Sequence, residues 1–195
     1  MRGREMEKHF WMVCVTHMFV EVYFLVQVAL IPVFIREFQL SLFEASFVAT
    51  VPSFVQLLTN IPTGYLADRI DTNHILFMSM VAEGATALAI SQTNNFWMLV
   101  LGVSVMRVSS PLYHITGLSH ISRIVKQEKI SRSMGFHNAL GSFGSAIGLI
   151  SLALFLSTTG WRWIYIFWSV PILIWGFVLL RSSQLRISRT SKEEK

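Results

Sequence analysis

Four ionisable side chains sit where water should be scarce. Glu21 and Glu83 are carboxylates inside long apolar runs, Arg107 is a guanidinium inside another, and His17 stands one helical turn before Glu21. On insertion scales a charge at the centre of a bilayer costs at least ~2.5–3.5 kcal/mol, so such groups face a partner or a water-filled cavity. A carboxylate and an imidazole at i, i+4 spacing share one helix face. There the imidazole can relay a proton to the acid or tune it. If the runs are helices, Glu21 lies roughly 16 Å in from the start of the first, and Arg107 roughly 18 Å from the start of an antiparallel one. Both depths are near a bilayer midplane, where secondary transporters bind substrate and coupling ions. Pairing of Glu21 with Arg107 is therefore expected, either as a working acid–base pair or as a buried structural one. His17 fits a proton relay or an interhelical hydrogen bond equally well. Glu83, followed by Gly84 and Ala85, fits a transport role or a bond to a neighbouring helix.

The surroundings of these residues must be membrane spans. Of 195 residues, 53% are hydrophobic and 14% charged, against about 25% charged in a soluble domain. The charges cluster between apolar runs near 11–35, 43–66, 75–91, 96–118, 134–157 and 161–180. About 20 apolar residues cross the ~30 Å hydrocarbon layer as a helix. No alternating pattern suggests a barrel, since both faces of each run are apolar. All five prolines fall inside the runs, which membrane helices tolerate. The expectation is an all-α polytopic membrane protein with six transmembrane helices. It has an N-terminal segment over 1–10, a six-helix domain over 11–180 and a polar tail or linker over 181–195. The first run is too long for a signal-peptide core and reads as a retained span.

Charge placement predicts orientation. Lys and Arg gather before span one (Arg2, Arg4, Lys8), after span two (Arg69), after span four (Arg123, Lys126, Lys129, Arg132) and in the tail (Arg181, Arg186, Arg189, Lys192, Lys195), with only Arg36 and Arg162 opposite. The positive-inside rule puts both termini in the cytoplasm of a multi-pass cell-membrane protein. The net charge of +5 is explained by this flanking, without nucleic acid as a partner. Ser41 to Glu44 reads as a capping box opening span two, and Asn94 and Asn95 as caps for span four. Trp11, Trp97, Trp161 and Trp163 at span ends suit the headgroup zone. In span five, Gly141/Ser145 and Gly144/Gly148 form small-xxx-small pairs for close helix packing. The single cysteine, Cys14, cannot form an internal disulfide. No HExxH, CxxC pair, Walker loop or Gly-x-Ser-x-Gly is present, so neither an enzyme, a cofactor nor a metal site is expected.

The run Gly64-Tyr65-Leu66-Ala67-Asp68-Arg69 resembles the signature loop of the major facilitator superfamily. Asp71, Thr72 and Asn73 depart from it where a glycine and two basic residues are usual, and Asp71 and Asn73 are candidate caps for span three. Gly64 would let helices pack closely, and Asp68 needs a cation or a second helix's N-terminus. In the family that acid helps latch the two halves together in the outward-facing state. Arg107 falls where the family's span-four arginine does, and Gly160-Trp161-Arg162-Trp163 resembles the entrance to span six. Tyr113-His114 with Gly117, and His17 through Glu21, resemble fosmidomycin-resistance-like exporters, which adds His114 to the pathway residues.

The resemblance implies one six-helix half, built as 3+3 inverted repeats, of a twelve-span secondary transporter. It implies proton-coupled movement of a small solute by alternating access, with lipid around it and a second half as partner. A truncated product, a split transporter with a separate partner chain and a parallel homodimer all fit, as does a non-transporting fragment or interaction partner.

Overall fold

The chain is described from a computed structural model covering residues 2–182, with side chains from Met6 onward. Apart from Arg181 and Ser182, the expected tail lies outside the described residues. Seven α-helices follow one another: α1 (Arg2–Glu37), α2 (Leu42–Ala67), α3 (Thr72–Ser91), α4 (Phe96–Met106), α5 (Ser109–Ile124), α6 (Ile130–Thr158) and α7 (Arg162–Arg181), with a 3₁₀ turn at Gln127–Lys129 before α6. Among the described residues there is no strand. Six stretches are long and apolar enough to cross a membrane, α4 and α5 together making the fourth. The six expected spans are therefore present, several reaching further than their apolar cores.

The fourth span is not one helix. Pro111 has no N–H to give the Arg107 carbonyl, and its ring crowds that carbonyl. The helix accordingly stops at Met106, Arg107 becomes its C-cap, and a new helix starts at Ser109. Pro111 then occupies the first turn of α5, where a missing N–H is harmless. Pro32, Pro52, Pro62 and Pro171 lie inside unbroken helices.

Helix starts follow local chemistry. Ser41 and Glu44 form the reciprocal capping box, Glu44 N–H to Ser41 Oγ at 3.2 Å and Ser41 N–H to Glu44 Oε2 at 2.8 Å. Asn95 Oδ1 accepts from the Met98 N–H at 3.0 Å. Asp71 stands at the N-cap of α3 but gives no side-chain cap bond. Asn73 does not cap either; it is buried and donates to the Leu180 carbonyl at 3.4 Å, tying α3 to the end of α7.

α1 packs on α6, α3 on α7, and α4 and α5 on both α3 and α2. In span numbers these pairs are 1–5, 3–6, 3–4 and 2–4. Exchanging spans 1, 2, 3 for 4, 5, 6 turns pair 1–5 into 4–2 and leaves 3–6 unchanged, whereas 3–4 has only a weak counterpart in 6–1, so the pairing follows 3+3 repeats in part. Met12 near the start of α1 meets Ser182 after α7, Sδ to Oγ 3.7 Å, so both ends of the described chain lie at one face of the bundle. At the opposite face Arg162 bonds Glu37 and, at 2.7 Å, the Thr93 carbonyl. Trp161 also donates to Glu37 and packs edge-on against Phe34 and Tyr165. Its ring is buried, which corrects the expectation of a headgroup anchor; Trp11, Trp97 and Trp163 are exposed.

Candidate functional site

The close approach of α6 to α1 builds the site. A Cβ on Gly144 would lie 2.0 Å from the Met18 carbonyl oxygen, and one on Gly148 2.1 Å from that of Val22. Only hydrogen fits at these contacts. Ser145, between them, donates to the Glu21 carbonyl at 3.1 Å. One turn earlier a Cβ on Gly141 would sit 2.4 Å from Cε1 of His17, so this glycine leaves the space the imidazole fills. The span-five stripe Gly141, Gly144, Ser145 and Gly148 thus lies against the face of α1 that carries His17 and Glu21.

Glu21 occupies the middle of the Met6–Glu37 span. Its Oε1 is 3.5 Å from His17 Nε2 and 3.3 Å from His114 Nε2. The direct Glu21–Arg107 pair expected from depth does not form. His114, two helical turns beyond Arg107 and across the break before Ser109, reaches the carboxylate instead. The Arg107 guanidinium lies over the Phe24 ring, 5.1 Å from its centroid. Glu21, Glu83 and Arg107 do line one small cavity, with Tyr23, Gln27 and Ser109. Arg107 therefore acts on both acids through space, without contact. Glu83 is buried and accepts from the Ser109 hydroxyl, while Ser79, one turn earlier on α3, donates to the Ser109 carbonyl at 2.8 Å. Two α3 side chains thereby hold the first residue after the break.

A second layer fixes His17. Its Nδ1 is 2.9 Å from the His137 carbonyl, which only accepts, so Nδ1 carries a proton. The ring stacks on His137 at 4.0 Å and on Tyr113 at 5.2 Å between centroids. Tyr113 donates to the Val13 carbonyl at 2.8 Å and meets His137 Nε2 at 2.7 Å. With its single proton used on Val13, the hydroxyl accepts from that nitrogen. With Nδ1 protonated, a neutral His17 turns a lone pair toward Glu21. At 3.5 Å the two groups are close enough for a proton to pass between them.

His17 and Glu21 open onto a cleft of about 380 Å³, shared with Phe24, Leu25, Asn138, Gly141, Ser142 and Ser145. That size falls in the range of small-molecule sites, roughly 300–1,000 Å³. His137, Tyr113 as a ring support, Gln27 and Asn138 were not singled out from sequence as site residues. His137 carried a signal, a titratable residue four positions before Gly141 in a glycine-rich apolar run.

The signature loop closes α2. Asp68 is the C-cap of that helix, its N–H bonded to the Gly64 and Leu66 carbonyls, and the Arg69 guanidinium lies 3.8 Å from the Tyr65 ring centroid. A Cβ on Gly64 would meet nothing within 4 Å, so among the described residues Gly64 does not make the close helix contact its type suggested.

A family model described as the Major Facilitator Superfamily matches residues 12–195. The chain belongs to the major facilitator superfamily. This superfamily consists of membrane transporters, not enzymes, and the six apolar spans are half of its fold. A bacterial homologue of the human lysosomal transporter Spinster, solved inward-facing and unoccupied, superposes with a TM-score of 0.71 at 15% identity, over 95% of this chain and 44% of that one. Its occupied form gives 0.70 at the same identity, over 45% of that chain. Two Klebsiella pneumoniae proteins named "Putative multidrug resistance protein MdtD" are 24% and 23% identical over 116 residues, 60% of this chain. This chain spans 24% of the length of those relatives and less than half of the solved transporters.

Proposed function

We propose that the chain forms one half of a proton-coupled secondary transporter for a small solute, working by alternating access with a second six-helix half supplied in cis or in trans. The observation that carries the reading is the His17–Glu21–His114 cluster at mid-span, which opens to the cleft through His17 and Glu21. Glu21 is the proton carrier. His17, locked by the His137 carbonyl, exchanges the proton with it, and His114 steadies the carboxylate. Arg107 and Glu83 set the local field from the adjoining cavity. In this reading the protein lies in the cell membrane with both termini cytoplasmic, as the clustering of Lys and Arg supports.

The test uses inverted vesicles containing the complete two-half assembly, with ethidium as the transport probe and pyranine as the internal pH indicator. Proton-gradient-driven ethidium movement is expected in the wild type and absent in Glu21→Gln, with solute exchange at equal pH retained. Wild-type coupling in Glu21→Gln would remove this carboxylate from the mechanism.

A further inference from the structure

We propose that His17, Glu21 and His114 form a binding site for one divalent transition-metal ion of the zinc class. The inference rests on the reading of this cluster as the working site, and adds a ligand class to it.

Three donor atoms of borderline-to-hard character converge: two imidazole Nε2 atoms and one carboxylate oxygen, all within 4.8 Å of one another. Zinc binds imidazole nitrogen and carboxylate oxygen at about 2.0–2.2 Å, which puts tetrahedral ligand atoms about 3.4 Å apart. The two edges that meet at Glu21 Oε1 are 3.3 and 3.5 Å. The third joins the two imidazoles, whose rings are 5.2 Å apart and nearly perpendicular. His114 is 34% exposed on its side chain, so its ring has room to turn and shorten that edge.

The second layer has the form a ligating histidine needs. Metal-bound imidazoles donate their other N–H to a carbonyl or carboxylate, which fixes tautomer and orientation. His17 Nδ1 does this to the His137 carbonyl at 2.9 Å, leaving the Nε2 lone pair directed at Glu21. Stacking on Tyr113 and His137 holds the ring plane. A metal ion also bridges the Nε2 lone pair and the carboxylate, taking the place of a shared proton. His17 and Glu21 face the cleft, which supplies an entry path and a fourth position for water. Three ligands with an open position is the pattern of a non-structural zinc site. No sequence motif reveals it, because His114 arrives from a span 93 positions after Glu21.

The test titrates Co²⁺, then Zn²⁺, into the tag-free full chain in detergent. The expected result is one Co²⁺ per chain with visible d–d absorption of a four- or five-coordinate site, displaced by Zn²⁺. Binding weakens at least about tenfold from pH 7.5 to pH 6, because protons compete for the ligands. His17→Gln, Glu21→Gln and His114→Gln each lose at least about tenfold in affinity, while His74→Gln keeps it. X-ray absorption of the zinc-loaded wild type should show two imidazoles, a readout independent of any variant that fails to fold. Absence of binding at millimolar Co²⁺, unchanged affinity in His114→Gln, or a different ligand set would overturn the proposal. Proton-driven ethidium transport without metal binding would overturn this inference alone; metal binding with wild-type coupling in Glu21→Gln would overturn the coupling reading alone.

Discussion

Glu83 shows how a buried acid can be separated by role from its neighbours. It shares a cavity with Glu21 and Arg107, yet its oxygen is committed to the Ser109 hydroxyl at the break between α4 and α5. Glutamine keeps an acceptor there and loses the charge; alanine loses both and strands the hydroxyl. Leaving a buried polar group unpaired costs about 1–3 kcal/mol. Glu83→Ala should therefore lower the thermal unfolding midpoint of the detergent-solubilised chain clearly, and Glu83→Gln should lower it little, as read by tryptophan fluorescence. Equal losses in both would mean the charge, not the hydrogen bond, holds the break. At this scale the isolated charges were legible in the sequence, because Glu21, Glu83 and Arg107 each interrupt an apolar run. Their partners were not. Depth alone predicted Glu21 against Arg107, whereas the folded chain brings His114, two turns further along the span, to the carboxylate.

Elements were the most legible level, since span length is imposed by bilayer thickness and leaves a direct trace in composition. The exception was the fourth span, where apolar character runs through a backbone break. Close packing was also written in residue size, and here the structure allows a paired prediction. At Gly144 any side chain would enter the Met18 carbonyl, whereas at Gly135, on the same helix, a Cβ would meet nothing within 4 Å. Backbone atoms cannot rotate away as a flexible side chain can, so Gly144→Ala must push α1 and α6 apart. That separation also breaks the Ser145 bond to the Glu21 carbonyl and shifts the His17–Glu21 face. Thermal stability should fall by an amount typical of overpacked cores, about 1–3 kcal/mol, and Gly135→Ala should leave it unchanged or raise it slightly, since alanine is the better helix former. Similar behaviour of the two alanine variants would show that α1 and α6 are not held at the distance described.

For the whole molecule, the signature run led to the family correctly, but the packing expected of Gly64 does not occur among the described residues. Leu57, Leu58, Ile61 and Tyr65 around it on α2 are all exposed. Lipid suffices to cover the aliphatic residues, but it gives no reason for a glycine, whose missing side chain matters only where another backbone comes close. The second half required by the proposed function would provide that backbone. The two explanations separate in one variant. Gly64→Leu adds a side chain into open space in this chain, so the unfolding midpoint of the chain alone should stay at the wild-type value. In the complete assembly the same leucine should block the approach of the second half, reducing both co-purification of the two halves and ethidium transport in vesicles. If assembly and transport were unaffected, this face of α2 would be a lipid face, and the second half would have to dock elsewhere on the bundle.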